Sequence, residues 1–340
     1  MLDDPERLLT AQGCALYSLY AFRLRNLNGA CMRQRHFIFI LCLLPGPVAA
    51  EWMDWSAELE LAVGSDDNVN LAIDNYAEDD EHLALKARIG RAYQFDAGAH
   101  SNTRLRLNAD AARKFYNDWD DLTRTRLGFG AELKHKLGLG LRAARLSAGF
   151  SAHYEDVRDA DRESWRGDVH LGVDKRLGAR LDLGFKLFYR ARAGEDWTPS
   201  DPMVDSNVYD TDHLGATLAL RYLLQPRLRL SAAASYLDGE FDSDCADYLA
   251  PGGGSVYRDR AGPGAPPLWQ QFDLKAVAVD QVFGCRWRAD GDGYQLRAAL
   301  GWLIDRRSSL RFTVGYQEIQ MDYGQDYDST TLGLSYRYAL

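Results

Sequence analysis

A two-residue rhythm constrains this chain more than any other feature, and it is clearest at the end. From Thr330 to Leu340, the residues Leu332, Leu334, Tyr336, Tyr338 and Leu340 fall on one face of an extended segment. Thr331, Gly333, Ser335 and Arg337 fall on the other. Successive side chains of a strand point to opposite sides. One face of this strand is therefore apolar or aromatic throughout, and the other is small or polar.

The rhythm recurs along the chain, at 55–64, 83–90, 104–111, 124–133, 146–154, 168–174, 181–190, 213–222, 228–236, 294–304, 310–317 and 330–340. The connections alternate in length. Short ones occupy 96–101, 136–142, 176–179, 224–227 and 305–309, and the longest interruption runs from Glu240 to Gly293. The mean hydropathy of −0.37 and net charge of −9 look like those of a water-soluble protein. A membrane barrel hides from such averages, because only every second residue faces lipid. A soluble sandwich would have to bury all these apolar faces against each other. The expected fold is all-β: a transmembrane up-and-down antiparallel β-barrel of about 12 strands. The alternative is 14 strands, if 272–279 and 282–288 form an extra hairpin. The breakers at 252–267 and 290–293 favour a loop there.

The first fifty residues stand apart from this pattern. Met32, Arg33, Arg35 and His36 form a basic start, Phe37 to Leu44 an apolar run, and Val48-Ala49-Ala50 a small-residue cleavage site. Together they read as a signal peptide over 32–50, preceded at 1–31 by an extension from a gene start placed too early. The barrel domain is then 51–340. Cys245 and Cys285 remain in the exported part, an even pair that favours a disulfide.

The non-lipid face is rich in cations. Lys86, Arg88, Arg104, Arg106, Arg124, Arg126, Lys186, Arg190, Arg221, Arg229, Arg297, Arg311 and Arg337 all take it. Glu58, Glu60, Asp110, Glu132, Asp168, Asp174 and Asp182 are the acids there. Rings of positive side chains favour anions. The functional expectation is a porin-like channel whose pore-lining cations pass small anionic solutes. The competing expectation is a closed lumen in which these cations pair with the acids. The long loops are acidic, at Asp66-Asp67, Glu78 to Glu81, Asp118, Asp120, Asp121, Asp242 and Asp244, and read as solvated charge. Ser151 and His153 share a face, with His170 and His213 on other strands, but no nucleophile signature surrounds them. No enzyme activity, cofactor or metal site is expected, and the acidic exterior disfavours nucleic acid.

Residues 51–340 resemble Gram-negative outer-membrane β-barrels, although such barrels usually end on an aromatic rather than a residue such as Leu340. The resemblance implies an outer-membrane location, contact with membrane lipid and lipopolysaccharide, insertion by the barrel assembly machinery, and a monomer. A narrower likeness rests on Gly64 to Asn70, on Gly315-Tyr316 and on Tyr323 to Thr331. These resemble segments in the barrel of surface lipoprotein assembly modifiers. That likeness implies the second functional expectation: a non-conducting surface or assembly barrel, serving lipoprotein or polysaccharide export through its external loops.

Overall fold

A computed structural model describes residues 50–69, 71, 77–95, 102–158, 163–194, 208–244, 276–278, 286–322 and 326–340. Residues 1–49, which hold all but the last residue of the expected signal peptide, and the expected disulfide pair Cys245 and Cys285 lie outside the described residues.

The strands, in chain order, are β1 (Ala50–Trp52), β2 (Ser56–Asp66), β3 (Asp80–Phe95), β4 (Asn102–Tyr116), β5 (Arg124–Lys136), β6 (Arg145–Val157) and β7 (Ser164–Arg176). They continue with β8 (Leu181–Gly194), β9 (Thr211–Gln225), β10 (Leu228–Asp244), β11 (Ala276–Ala278), β12 (Arg286–Leu303), β13 (Ser308–Met321) and β14 (Asp326–Ala339). Each long strand pairs antiparallel with the next. β10 passes directly to β12, and β14 returns to β2, with Leu334 opposite Val63 and Tyr336 opposite Leu61. The sheet thus closes on twelve strands, as the alternation predicts. Closure leaves no edge with unpaired N–H and C=O groups, which is the only way a sheet can stand in hydrocarbon. Two short strands stay off the ring. β1 pairs with the end of β3, and β11 pairs with Arg286–Arg288 of β12, so neither adds a strand to the ring.

One expectation needs correcting. The interruption expected from Glu240 to Gly293 is in part continuous ladder, with β10 running to Asp244 and β12 beginning at Arg286 in register with it. The lipid-facing alternation stops there because the strands leave the apolar belt, while backbone pairing goes on. Arg286 to Asp242 at 2.7 Å and Arg288 to Glu240 at 3.5 Å bridge this extension.

The outer surface keeps the pattern read from the sequence. Leu59, Leu61, Leu85, Leu127, Phe129, Leu218, Leu296, Phe312 and Leu334 are all exposed. Aromatic pairs border this surface: Tyr154 with Trp165 and Tyr236 with Tyr294 at one level, and Trp52 with Tyr93 at the other. Tyr294 and Trp302 stand eight residues apart on β12. That is roughly 26 Å along the strand, or about 20 Å of height at the usual tilt. The apolar surface between them matches a membrane core.

Candidate functional site in the barrel lumen

The inward residues divide the lumen into two walls. On β2 to β8 acids stand among the bases and many of them pair, while Lys86, Arg104 and Arg106 form no ion pair among the described residues. Arg88 reaches Glu58 at 3.2 Å, and Arg190 reaches Asp168 at 3.6 Å. Glycines make several of these pairs possible. In the row Asp110–Gly128–His153, the imidazole lies across the glycine and its Nε2 comes within 3.5 Å of Asp110. A Cβ on Gly128 would sit 2.0 Å from the ring. The row Glu132–Gly149–His170 repeats the device, with His170 Nε2 at 4.0 Å from Glu132 and Nδ1 at 3.5 Å from Asp168. Across Gly184, Asp174 binds the Arg221 guanidinium. A missing side chain thus lets an acid and a base meet across a whole strand.

The second wall, β9, β10 and β12 to β14, is built differently. Its inward positions within the membrane are mostly Ser, Thr, Ala, Gly and Gln, among them Ser231, Ser235, Ala299, Thr313 and Gly333. The inward cations are Arg221, Arg229, Arg297, Arg311 and Arg337, and no inward residue from 213–223, 229–235, 295–301, 311–317 or 331–337 is a carboxylate. Arg221 and Arg337 borrow acids from the first wall, Arg337 reaching Glu60 at 3.1 Å. Arg229, Arg297 and Arg311 have no ion-pair partner among the described residues. The side chains around them are small, and all three arginines are exposed.

The external end is different again. Phe188, Leu237, Phe241, Trp287, Ala289, Ile319, Met321 and Tyr327 form one buried apolar cluster on inward positions. His213 stacks on Phe241 with ring centroids 4.9 Å apart. Leu71, from the connection between β2 and β3, packs against the cluster with a positive φ of 57°. Its carbonyl accepts a hydrogen bond from Ser243 Oγ at 2.7 Å. Three wall strands (β14, β13 and β12) separate β2 from β10, so Leu71 lies against strands that are not neighbours of its own. Facing the cluster, Glu155 is buried between Arg124 at 3.1 Å and Arg166 at 3.2 Å.

Of the thirteen cations expected to line the pore, all occupy inward positions, and the structure sorts them. Arg88, Arg124, Arg126, Arg190, Arg221 and Arg337 are held by acids. Lys186 lies over the Phe188 ring, 5.0 Å from its centroid. Lys86, Arg104, Arg106, Arg229, Arg297 and Arg311 form no ion pair among the described residues. Ser151 has no hydrogen-bonded histidine there, since His153 is turned onto Asp110. The loop acids also have structural work. Asp80 is buried and accepts from the backbone N–H groups of Asn117, Asp118 and Trp119 at 3.0–3.1 Å. Among the described residues no group of His, Cys, Asp and Glu is arranged to hold a metal ion. The sequence reading missed the apolar cluster and the glycine gaps. Inward glycines in register with a histidine on the next strand were the available signal.

The sequence matches no family model and no curated protein. The narrower likeness to assembly modifiers therefore gains no support. Solved structures with a similar outline include an outer membrane channel from Pseudomonas putida F1, at 12% identity and a TM-score of 0.48, covering 88% of this chain and 100% of that one. The DcaP outer membrane channel of Acinetobacter baumannii has 12% identity and a TM-score of 0.41, over 87% of this chain and 100% of that one. An anion-selective porin from Comamonas acidovorans has 7% identity and a TM-score of 0.39, over 86% of this chain and 100% of that one. At such distances the architecture rests on the sheet itself. A closed sheet, an apolar belt edged by aromatics and a polar interior make this chain a transmembrane β-barrel of the outer-membrane type.

Proposed function

We propose that this barrel stands in an outer membrane as a channel for small anionic solutes. The observation that carries the reading is the wall formed by β9, β10 and β12 to β14. It lines the lumen with small residues and with Arg229, Arg297 and Arg311, which have no ion-pair partner among the described residues, and its membrane-level inward positions carry no carboxylate. Arg229, Arg297 and Arg311 offer a passing anion successive partners, and the small neighbours leave it space. The wall opposite holds most of its acids in bridges to its bases and acts chiefly as scaffold. Water-exposed guanidiniums lower the barrier for anions and raise it for cations.

The test is single-channel recording of residues 51–340, refolded and inserted in a planar bilayer under a salt gradient. A reversal potential of the anion-selective sign, reduced in Arg297→Gln, supports the channel. A folded, heat-modifiable barrel that passes no current overturns it. A specific observation favours that second outcome: the buried cluster around Phe188, Phe241, Trp287 and Tyr327 occupies the external part of the lumen. In that reading the barrel is a surface protein acting through its external loops.

A further inference from the structure

The geometry points to a built oxyanion site at the end of the lumen nearest the short turns, held by Arg229 and Arg311 across Gly301. It names the ligand chemistry of the proposed channel and rests on that reading for its role in transport. In the sheet, Arg229 on β10 is opposite Gly301 on β12, and Gly301 is opposite Arg311 on β13. The two arginines are thus two strand spacings apart, roughly 10 Å between Cα atoms. Both side chains face inward over the same glycine.

The row has the form of the bridged rows on the other wall. There, each glycine gap is crossed by a base reaching an acid, as in Asp110–Gly128–His153 and Glu132–Gly149–His170. At Gly301 the gap is kept and both flanking residues are bases. Nothing crosses it: the nearest atom to a Cβ built on Gly301 is the Arg229 carbonyl oxygen, at 3.9 Å. The sheet supplies two guanidiniums and the space between them, and leaves out the anion.

The surroundings fit a bound anion. A recess of about 360 Å³ opens here, lined by the Ser335 hydroxyl and by Ser231, whose Oγ donates to the Ala299 carbonyl at 3.4 Å. Arg221 and Arg337 close its flanks, and each already carries an acid, Asp174 and Glu60. Those two shape the recess without competing for its occupant; Arg227 also lines it, donating to the Ile304 carbonyl at 3.5 Å, and Arg229 and Arg311 are the charges that flank the glycine gap. A guanidinium presents paired N–H donors that match the oxygens of a carboxylate or phosphate. Two of them facing one gap favour a group or molecule with two negative charges over a monoanion. The ligand class is therefore a small solute bearing a phosphate or two carboxylates.

The experiment is isothermal titration calorimetry of the refolded barrel in detergent micelles at low salt. Sodium phosphate, sodium succinate, sodium acetate and choline chloride are titrated, and the same solutes are added in single-channel recordings. Phosphate or succinate should bind more tightly than acetate, and choline should give no binding. Arg229→Gln and Arg311→Gln should each weaken binding roughly tenfold or more, the ordinary value of a charge-assisted contact. Gly301→Val keeps both charges and fills the gap, and should abolish binding in a barrel that still migrates as folded. Arg104→Gln removes an unpaired cation from the other wall and should leave binding unchanged. Equal losses in Arg104→Gln and Arg229→Gln would mean diffuse lumen charge and overturn the site, as would a folded protein that binds no anion. Binding without conductance would sink the channel and keep the site. Conductance without binding would do the reverse.

Discussion

The two walls of this lumen solve the same problem in opposite ways. Both must place polar groups inside a ring whose outside is lipid. The β2–β8 wall holds its acids in pairs with its bases and uses glycines to let the partners meet, leaving Lys86, Arg104 and Arg106 without an ion pair among the described residues. The wall of β9, β10 and β12 to β14 carries inward cations among small residues at membrane level, and Arg229, Arg297 and Arg311 there have no ion-pair partner among the described residues. A barrel lined only by the first kind would be a plug. One lined only by the second would carry a large unbalanced charge. The division shows that counting inward charges says little about a channel, whereas asking which are paired says a great deal.

The largest effect should come from the paired side. Glu155 is buried between Arg124 and Arg166. Removing one member of such a group leaves charge uncompensated. Because both arginine side chains are more than a third exposed, Glu155→Gln should cost about 2 kcal/mol, below the fully buried case. Urea unfolding in lipid vesicles, followed by tryptophan fluorescence, measures it. An unchanged midpoint would break the claim that this wall is scaffold.

Glycine substitutions compare the walls directly. Gly128→Val drives a Cβ into the His153 ring and should cost about 1–3 kcal/mol. Gly301→Val meets open space and should stay within about 0.5 kcal/mol of the parent. Equal costs would erase the distinction between a bridged and an open gap.

Ion selectivity sharpens it further. Arg126, 3.6 Å from Asp110, is already balanced, so Arg126→Gln should shift the reversal potential less than Arg297→Gln does. The opposite order would place the conducting path along the paired wall.

The smallest effect lies outside the membrane, in the turn between β12 and β13. The Asp305 carboxylate accepts from the backbone N–H groups of Arg307 at 2.7 Å and Ser308 at 2.8 Å. The Arg307 N–H is the main cause that holds it below its ordinary value of 3.8, with Ser308 next. A carboxylate with a lowered folded value stabilises the fold above the unfolded value, and loses that contribution as pH falls through the folded one. Asp305→Asn should therefore lower the thermal midpoint slightly at neutral pH. The difference should fade once the pH drops below 3.8. A difference that persisted in acid would exclude this turn as its source.

Much of this was legible in the sequence. The strand positions, the twelve-strand count and the inward placement of residues such as Arg229 and Glu58 follow from alternation alone. The rim is where reading failed. Between Glu240 and Gly293 the chain carries Asp, Gly and Arg with no lipid-facing signal, yet β10 and β12 remain paired to Asp244 and Arg286. Phe188, Phe241, Trp287 and Ile319 gather at the mouth from separate strands, and no local pattern announces it.

The sequence by itself determined which side chains face lipid and which face the lumen, because that depends on a local period of two. Only the tertiary structure decided which lumen charges are neutralised. Arg337 meets Glu60 from 277 residues away, and does so because β14 closes on β2 in one register. Arg229 and Arg311 flank a glycine just as the members of the bridged rows do, and differ only in facing another base across it rather than an acid. Pairing across strands is fixed by closure and register, and a rhythm confined to single strands carries neither.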